Sequence, residues 1–558
     1  MLKALELENF KAFGERTRIE FAPITLIFGE NSAGKSSILQ SLSLLKQTRE
    51  SREGGALLLP RAETGTVDLG SFQELLFDHD QSRRLAIKLS MRLPSDKDSE
   101  LRHIRHLFWP SFLPDVPDVL SFEMQLHWPE NEREVSLHQL SLGIGEEEKE
   151  LARFAPVQLK KGDTRRMIGP FFFYGRHPRH PGDPQMRAAA CQWVTNDRSI
   201  WKPLYEAAAR RTAHIVKSIQ RLRKDLESPQ FLEREGSFLE SREEREKFAK
   251  AAMEAEEFYS APLDEDKFLE RVTDAEIGNT VLLDGFVPVG PTGLRRPAGR
   301  RTMLPEVFAT MRYSRGGPLP VTFDVGSVAT FAGHAVETVL ESMFPMGPFR
   351  RPPERWYIFT GSKPQDVGYR GELLPDLLFR SPELVKKTNK WLERLGIGYA
   401  IAVRPVGSRA SDLFEVRLTD LRRSKDVDVA LSDVGFGISQ LLPFVVQCLA
   451  TERQIISIEQ PEVHIHPRLQ ADLGDLLVEA IRKPHYQRFI VETHSEHLVL
   501  RLQRLIRERK LQPEDVSVIY VSRGVSGAQA QRLAIDESGD FMDDWPGGFF
   551  PERLRELV

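Results

Sequence analysis

The sequence predicts an α/β fold, and three features carry that prediction. An apolar strand, Ile24 to Phe28, runs directly into a glycine-rich turn and then into a helix with apolar residues at helical spacing. Short runs that alternate apolar and polar residues begin at Ala86, Ser121 and Glu134 and indicate an antiparallel sheet. From about Ser381 onward, strand and helix patterns alternate again. Both ends of the chain therefore carry strands and helices.

The middle of the chain has a different character. Residues 199–260 are rich in Ala, Glu, Arg and Lys, with apolar positions at three- and four-residue steps, which predicts a helical hairpin or a small helical insertion. Residues 285–365 are rich in Gly, Pro and Arg and are expected to be mostly loops. We therefore expect an N-terminal region with an antiparallel sheet (1–195), an inserted helical and loop-rich domain (196–380), and a C-terminal region with a short tail (381–558).

The composition limits the partners and the cellular location that we expect for the protein. Charged residues make up 28% of the 558 residues, but the formal net charge is only -4, so any nucleic-acid contact must come from a local patch. Cys191 and Cys448 are the two cysteines, which argues against a disulfide framework. Glu6 and Glu8 interrupt the N-terminus where a secretory signal needs an apolar core, and no apolar run reaches the ~20 residues that span a bilayer. We expect a soluble, cytoplasmic protein.

The glycine-rich turn fits the pattern G-x-x-x-x-G-K-[ST] between a strand and a helix, the context that supports a phosphate-binding loop. Backbone N–H groups in such a loop surround phosphate oxygens, Lys35 would reach the β- and γ-phosphates, and the Ser36 hydroxyl would bind Mg²⁺. The predicted cofactors are ATP and Mg²⁺. The predicted nucleotide-binding residues here are Gly29, Glu30, Asn31, Ser32, Ala33, Gly34, Lys35, Ser36 and Ser37.

Three further elements follow in the C-terminal region. The strand IISI ends at Glu459, where a carboxylate can hold Mg²⁺. About 20 residues earlier, the serine- and glycine-rich sequence SDVGFGISQ opens an apolar helix, and such a helix start can bind an anion. The next apolar strand leads to His494, which could contact a γ-phosphate. One ATP needs one cradle, so a second cradle in the chain suggests that two chains meet with nucleotide between them.

The phosphate loop, SDVGFGISQ, IEQPEVHIHP and VETHSEH, in this order, resemble the ABC-type ATPases of the SMC, RecF and OLD group over roughly residues 1–150 and 380–558. The resemblance implies an ABC-ATPase head, with a P-loop sheet and an antiparallel β subdomain, assembled from both ends of the chain. It implies that Ser36 and Glu459 hold Mg²⁺, that His494 is the switch histidine and that His466 stands at the position of the D-loop aspartate. It also implies signature-loop residues that contact the ATP of a second copy: Ser432, Gly435, Gly437 and Ser439.

One position departs from the pattern of that group. The residue after the Mg²⁺-holding acid is normally a glutamate that polarises the attacking water, but this chain has Gln460, whose amide cannot accept a proton as a carboxylate does. Glu462 and Glu492 are the two alternatives for the missing base. The predicted catalytic residues are Gln460, Glu462 and His494, and we expect slow hydrolysis.

Other segments resemble a narrower branch. The sequences MGPFRRPPERWYIF, DVGYRGELLPDLL and DESGDFMDDWPGGFFPERL are similar to PtuA-like ATPases of bacterial anti-phage systems, Septu and retrons, in which the ATPase is paired with an HNH nuclease. This resemblance implies a nucleotide-gated switch or scaffold that controls a separate nuclease. Only 64 residues follow His494, too few for a usual further domain, so we expect no nuclease domain in this chain.

Local basic patches leave a second function open. Four arginines fall within seven residues, Arg295, Arg296, Arg300 and Arg301, and the helical segment from Lys202 to Lys224 is also basic. Binding of DNA or RNA through these residues would suit a repair clamp of the RecF or SMC kind that works without an effector partner. A GTPase or small-molecule kinase fits poorly, because no N-K-x-D guanine motif is present.

Overall fold

The structure of the protein is a computed structural model that describes part of the chain. The described residues are 1–51, 56–62, 65–93, 118–129, 135–157, 165–167, 187–193, 280–284, 286–294, 322–407, 412–423, 427–482, 484–546 and 548, together with scattered helical positions between 202 and 266.

The chain divides into two compact units, and each is described by itself. The first consists of Met1, Glu53–Leu57 and Ser90–Glu337. The second consists of Leu2–Arg52, Leu58–Leu89 and Thr338–Val558, so both ends of the chain contribute to it. This division does not follow the expected boundaries at 195 and 380, and residues 338–380, expected in the insertion, belong to the second unit.

The strands are numbered in chain order. They are β1 (Leu2–Glu8), β2 (Thr17–Glu20), β3 (Ile24–Gly29), β4 (Leu85–Arg92), β5 (Val119–His127), β6 (Ser136–Ile144), β7 (Lys149–Val157), β8 (Arg165–Met167), β9 (Arg187–Trp193), β10 (Thr280–Asp284), β11 (Val287–Leu294), β12 (Met343–Met346), β13 (Tyr357–Ile358), β14 (Tyr399–Pro405), β15 (Leu413–Asp420), β16 (Val427–Ala430), β17 (Ile455–Glu459), β18 (Arg488–Glu492), β19 (Val516–Gly524) and β20 (Gly527–Leu533).

Outside the scattered helical positions, the helices are α1 (Lys35–Glu50), α2 (Phe72–Leu75), α3 (Thr322–Ser342), α4 (Leu374–Arg380), α5 (Pro382–Arg394), α6 (Phe436–Ala450), α7 (Pro467–Ala480) and α8 (Glu496–Arg507). Short 3₁₀ turns cover Phe77–His79, Leu431–Asp433 and Pro513–Asp515. No helix among the described residues is long and apolar enough to cross a membrane.

A parallel sheet forms the centre of the second unit. Its strand order is β12-β17-β18-β3-β19-β20, and every neighbouring pair is parallel except β19 and β20. The N-terminal strand β3 thus lies between two strands from the far end of the chain. Ligands of open α/β sheets bind beyond the carboxyl ends of the strands, where the loops after β3, β17 and β18 meet.

Antiparallel strands complete both units. In the first unit the order β5-β6-β7-β9-β10-β11-β8 confirms the antiparallel sheet that the alternating runs predict. The second unit contains β2 and β1 in an antiparallel pair, and a small sheet in which β15 pairs with β13, β14 and β16. The α/β class is therefore confirmed, with both parallel and antiparallel strand pairs.

The core of the second unit packs helices on the parallel sheet. Apolar helix α6 is seated on it, with Phe444 edge-on to Phe489 of β18 at 6.1 Å between ring centroids. Pro443 lies inside α6, and the backbone of Gly371 passes so close to its ring that a Cβ there would be 2.8 Å away. That approach fixes the segment after β12 against α6.

The expectation of loops over residues 285–365 is wrong in part. Strand β11, the 21-residue helix α3 and strand β12 all fall within that stretch. Ala329, Ala332 and Val336 of α3 are fully buried, which is the helical apolar spacing that the glycines of this segment obscured in the sequence. A composition rich in turn residues does not by itself exclude a helix when one face of that helix is apolar.

Candidate nucleotide site

The predicted phosphate loop joins β3 to α1 and depends on two glycines. Gly29 has φ +142°, and a Cβ there would lie 2.0 Å from the carbonyl oxygen of Val521 on the neighbouring strand. Gly34 has φ +109°, and its Cβ would lie 2.6 Å from the Cβ of Ala12. L-residues avoid such φ values, and neither position has space for a side chain. The loop geometry therefore requires glycine at both positions.

Lys35 begins α1 and turns back into this loop. Its Nζ donates hydrogen bonds to the carbonyl oxygens of Gly29 at 3.0 Å and Glu30 at 2.7 Å. The residue is only 4% exposed, and burial lowers the pKa of the ammonium, with the charge of Glu492 acting in the opposite direction. The ammonium group thus lies inside the curve of the loop, where an anion would meet it.

Ser36 contacts a carboxylate from the distant part of the chain. Its Oγ donates a hydrogen bond to Glu492 Oε1 at 3.1 Å. Glu492 ends β18 and is buried, and its other oxygen, Oε2, has no hydrogen-bond partner among the described residues. Burial is the main cause that raises the pKa of Glu492. Parallel pairing of β18 with β3, with Glu492 opposite Ile27, brings this contact about.

Glu459 is the immediate neighbour of Glu492. The two residues are register partners at the carboxyl ends of β17 and β18. Burial first, and then repulsion from Glu492, raises the pKa of Glu459 to about 7, while the positive charge of Arg350 acts against this rise. Two adjacent carboxyl groups with raised pKa values form a site that a divalent cation would stabilise.

The loop after Glu459 is held to the end of β18. Gln460 has φ 44°, an uncommon value for a residue with a side chain, and its N–H donates to the Glu492 carbonyl oxygen at 2.7 Å. Glu462 accepts a hydrogen bond from the N–H of His494 at 2.7 Å, while its Oε2 is buried without a partner among the described residues. Burial is the main cause of the raised pKa of Glu462.

His494 follows the buried residue Thr493, whose N–H donates to the Ile27 carbonyl oxygen at 3.1 Å. Partial desolvation, and then repulsion from the Lys35 ammonium, lower the pKa of the imidazole. The neutral ring, which can both donate and accept a hydrogen bond, is therefore favoured at neutral pH. The charge of Lys35, in the glycine-rich loop, therefore acts directly on His494, the predicted switch histidine.

The predicted signature loop, residues 432–439, contacts Arg355 and the loop after β17. Asp433 receives a two-pronged hydrogen bond from Arg355, at 2.9 and 2.7 Å. A Cβ at Gly437 would lie 2.6 Å from the His464 carbonyl oxygen, so α6 begins in close contact with the loop after β17. Gly435 is exposed, with nothing within 4 Å of a Cβ placed there. This glycine faces open space.

The other two predicted signature residues differ in exposure, and the predicted D-loop residue lies at the start of a helix. Ser432 is exposed and hydrogen-bonds its neighbour Asp433, whereas Ser439 is buried in α6. His466 is the N-cap of α7, with Nδ1 accepting from the N–H of Arg468 at 3.3 Å. Aspartate is also a favourable N-cap residue, so the capping of α7 accounts for either aspartate or histidine at this position.

Sequence reasoning missed Arg350. Arg350 is 5% exposed, and burial lowers the pKa of its guanidinium to about 10 although Glu459 and Glu462 act in the opposite direction. The pair Arg350 and Arg351, shortly after a short apolar strand, was the available signal.

The predicted basic patches are only partly within the described residues. Arg295, Arg296, Arg300 and Arg301 lie outside them. In the basic helical segment, Arg223 pairs with Glu256 at 2.6 Å and Arg210 approaches Glu206 at 4.0 Å. These acidic partners reduce the positive field that this segment would offer to nucleic acid.

Metal binding fits the donors that are present. Among the described residues, no group of three or more His, Cys, Asp and Glu side chains could hold a metal ion by itself. Ser36, Glu459 and Glu492 nevertheless offer oxygen donors, and Mg²⁺ is usually bound by one or two carboxylates together with substrate phosphates and water. The unpartnered Oε2 of Glu492 is consistent with such a shared site.

Comparisons with known proteins agree with this geometry. Residues 1–107 and 381–499 match the AAA ATPase domain family. A segment of 43 residues is 51% identical to the chromosome partition protein Smc of Rhodopirellula baltica, and the match covers 8% of this chain and 4% of that protein. The chain thus spans a very small part of the length of this curated relative.

Among solved structures, three SMC head domains align with the chain at low identity. The head domain from Pyrococcus furiosus, bound to the C-terminal domain of ScpA, has a TM-score of 0.34 and 10% identity, with 100% of this chain and 98% of that chain covered. The head domain from Thermotoga maritima has 0.33 and 10%, covering 96% and 99%. The head domain from Pyrococcus yayanosii has 0.36 and 11%, covering 100% and 99%.

The two segments that match the family model carry the glycine loop, the signature sequence, Glu459, Glu492 and His494. The parallel sheet brings the glycine loop and the acids together. Residues 1–107 and 381–499, less than half of the chain, are therefore similar to an AAA ATPase domain.

Proposed function

We propose that the chain binds ATP with Mg²⁺, hydrolyses it slowly, and acts as a nucleotide-gated switch that controls a separate HNH-type nuclease in a bacterial anti-phage system. The observation that carries the slow-switch part is the identity of residue 460. Gln460 follows Glu459 at the end of β17, beside β18, whose last residue Glu492 accepts a hydrogen bond from Ser36 of α1.

The residues of the loop would bind the triphosphate. Backbone N–H groups of residues 29–37 and the ammonium group of Lys35 would hold the phosphate oxygens, and Lys35 would exchange its present carbonyl acceptors for those oxygens. Ser36, Glu459 and Glu492 would hold Mg²⁺, which supplies charge neutralisation at the β- and γ-phosphates when bound. His494, favoured in its neutral form, would donate a hydrogen bond to the γ-phosphate.

Proton transfer is the slow part of this proposal. Gln460 would orient the attacking water but cannot accept its proton. Glu462 is the better candidate for a residual base, because its Oε2 has no partner among the described residues, whereas the equally unpartnered Oε2 of Glu492 would be taken up by Mg²⁺ in this proposal. Glu462 is also tied to the His494 backbone, so a shift of that histidine would move the candidate base.

A second copy of the chain would complete the site. The exposed Gly435 and Ser432 of the signature loop would lie against the phosphates bound by the partner, in a head-to-head dimer. Exposure of these small residues in one chain supports this arrangement, because a ligand could approach their backbone closely. The ATP-bound dimer would persist for as long as hydrolysis is slow.

The nuclease partner rests on resemblance alone, through the segments around residues 345–380 and 536–554. The test is purification of the chain from its native operon, with mass spectrometry of what accompanies it and analysis of bound nucleotide. Recovery of an HNH protein, retained with ATP and released after hydrolysis, is the expected result. Recovery of the chain without any nuclease would reject the defence role.

A DNA clamp of the RecF or SMC kind is the second candidate, favoured by the 43-residue similarity to a chromosome partition protein. It predicts ATP-dependent capture of DNA by the isolated chain, with affinity that falls steeply as salt rises. Arg295, Arg296, Arg300 and Arg301 are the proposed contacts. DNA capture without any nuclease partner would favour the clamp over the switch.

A further inference from the structure

Arg350 is a buried arginine on the segment that follows β12. It is 5% exposed, and its Nε has no hydrogen-bond partner among the described residues, while one terminal nitrogen donates to the Pro348 carbonyl oxygen at 3.0 Å. A buried guanidinium group is costly unless opposite charge compensates it. The neighbouring Arg351 is the opposite case, because its side chain is 59% exposed and it pairs with Glu354 at the surface.

The positive charge of Arg350 is compensated by carboxyl groups at the end of β17 and in the loop that follows it. Strands β12 and β17 are parallel, with Met346 opposite Ile458, so the residues that follow each strand lie at the same edge of the sheet. Glu459 and Glu462 both interact electrostatically with Arg350, as does the hydroxyl group of Tyr369. Further along the same edge lie the carboxyl group of Glu492, the ammonium group of Lys35 and the imidazole of His494.

The backbone of Arg350 makes a second connection, to α6. Its N–H donates to Gln440 Oε1 at 3.3 Å, and Gln440 is 6% exposed in the second turn of that helix. One turn earlier, Gly437 is in close contact with the carbonyl oxygen of His464. The start of α6, which carries Gly437 and Ser439 of the predicted signature loop, therefore contacts the loop after β17 at His464 and accepts a hydrogen bond from the backbone of Arg350 at Gln440.

We propose that Arg350 is a positioning residue: its guanidinium group compensates the charges of Glu459 and Glu462, and its backbone couples these carboxylates to the signature end of α6. The coupling rests on the proposed function, since it matters only if the chain turns over ATP. Charge compensation is independent of that function. The two parts are therefore tested by separate measurements.

A stability cycle tests the compensation. Arg350→Met should lower the Tm by about 5 °C or more, because it leaves buried carboxylates without their counter-charge. Adding Glu462→Gln or Glu459→Gln should recover at least half of that loss, and Arg350→Lys should stay close to the wild type. Arg351→Met is the matched control and should change nothing. Additive losses in the double variants, or equal losses for Lys and Met at position 350, would overturn the proposal.

If Arg350→Met does not fold, the double variants and Arg350→Lys still test the compensation. Recovery of soluble chain in Arg350→Met/Glu462→Gln would then support compensation, and continued failure of both double variants, with Arg350→Lys also unfolded, would reject it. None of these readings needs ATP. A wild-type chain that binds no ATP would therefore overturn the proposed function and leave the cycle interpretable.

Kinetics test the coupling to α6. Gln440→Leu removes the acceptor of the Arg350 N–H and should lower kcat for ATP by about 10-fold or more with little change in KM, as is usual for residues that orient a metal-binding group. Gln529→Leu, on exposed β20, is the control. A kcat equal to that of the wild type, or a matched loss of nucleotide binding, would overturn the coupling.

Discussion

Ser36 Oγ donates a hydrogen bond to Glu492 Oε1 across 3.1 Å, although 456 positions separate the two residues in the chain. The sequence predicts that Ser36 and Glu459 hold Mg²⁺ together, and the register of β18 on β3 places Glu492 against the serine. Glu492 and Glu459 then stand side by side at the sheet edge. The acidic part of the site is therefore a pair of glutamates, one of them already hydrogen-bonded to the glycine loop.

Replacement of Glu492 by glutamine should raise the Mg²⁺ concentration needed for half-maximal ATP binding by about 10-fold, because a neutral amide is a weaker ligand for a hard cation. Titration of Mg²⁺ at fixed nucleotide, followed by a fluorescent ATP analogue, measures this. Glu479→Gln, at a surface ion pair with Arg394, is the control. An unchanged Mg²⁺ requirement would show that Glu492 is structural.

Lys35→Ala should weaken ATP binding by about 100-fold, which corresponds to about 2.7 kcal/mol, since it removes charge-assisted hydrogen bonds to phosphate. Binding by calorimetry gives this number directly. The fold should survive, because the Lys35 ammonium bonds only to carbonyl oxygens of its own loop. Lys510→Ala, on an exposed side chain, should bind ATP normally. Equal affinity in the two variants would argue against the loop as the phosphate site.

Gln460→Glu should raise steady-state turnover, because it introduces a carboxylate that can accept a proton from water. It should also destabilise the chain without Mg²⁺, since a further negative charge enters beside Glu459 and Glu492. Phosphate release under saturating ATP measures the first effect, and Gln529→Glu controls for added charge. A rate at or below that of the wild type would count against slow hydrolysis being caused by Gln460.

The pH dependence of stability should carry the signature of Glu459. Its pKa of about 7 lies above the ordinary value of 4.5, so between these values the folded chain binds more protons than the unfolded chain. The free energy of unfolding from this group therefore decreases as pH rises through that window. Thermal unfolding of the nucleotide-free protein at pH 5 and 8 should show a smaller difference for Glu459→Gln than for the wild type. Equal differences would contradict the raised pKa.

Gly435→Glu should leave ATP binding by a single chain intact, because a side chain at this position meets nothing within 4 Å. It should abolish turnover if Gly435 faces the phosphates of a second copy, since it brings a carboxylate to an anion. Mixing this variant with Lys35→Ala should restore part of the activity, because a mixed dimer contains one site with both an intact loop and an intact Gly435. No recovery on mixing would reject the composite site.

Local motifs allowed much of the site to be predicted. The strand before Gly29, the helix after Lys35 and the strands ending at Glu459 and Glu492 all appear where apolar runs and glycine placed them. Helix α3 was missed because glycines interrupt its pattern. Gly333 is present for packing, since a Cβ there would lie 2.1 Å from the Pro288 carbonyl oxygen, and it does not end the helix.

Contacts between distant segments could not be predicted in this way. The Ser36–Glu492 bond depends on which strand lies beside β3, and the burial of Arg350 depends on β12 joining the parallel sheet. Neither fact is encoded in residue spacing.

The placement of β3 between β18 and β19 has a consequence for synthesis of the protein. The glycine loop leaves the ribosome early, but Glu492, which accepts the hydrogen bond of Ser36, is 456 residues further along the chain. At about 5–20 residues per second, roughly half a minute or more of translation separates the two residues. The same loop rests on Val521, which emerges later still. A nascent chain therefore cannot assemble this pocket, and ATP can stabilise only molecules whose C-terminal strands have already joined the sheet.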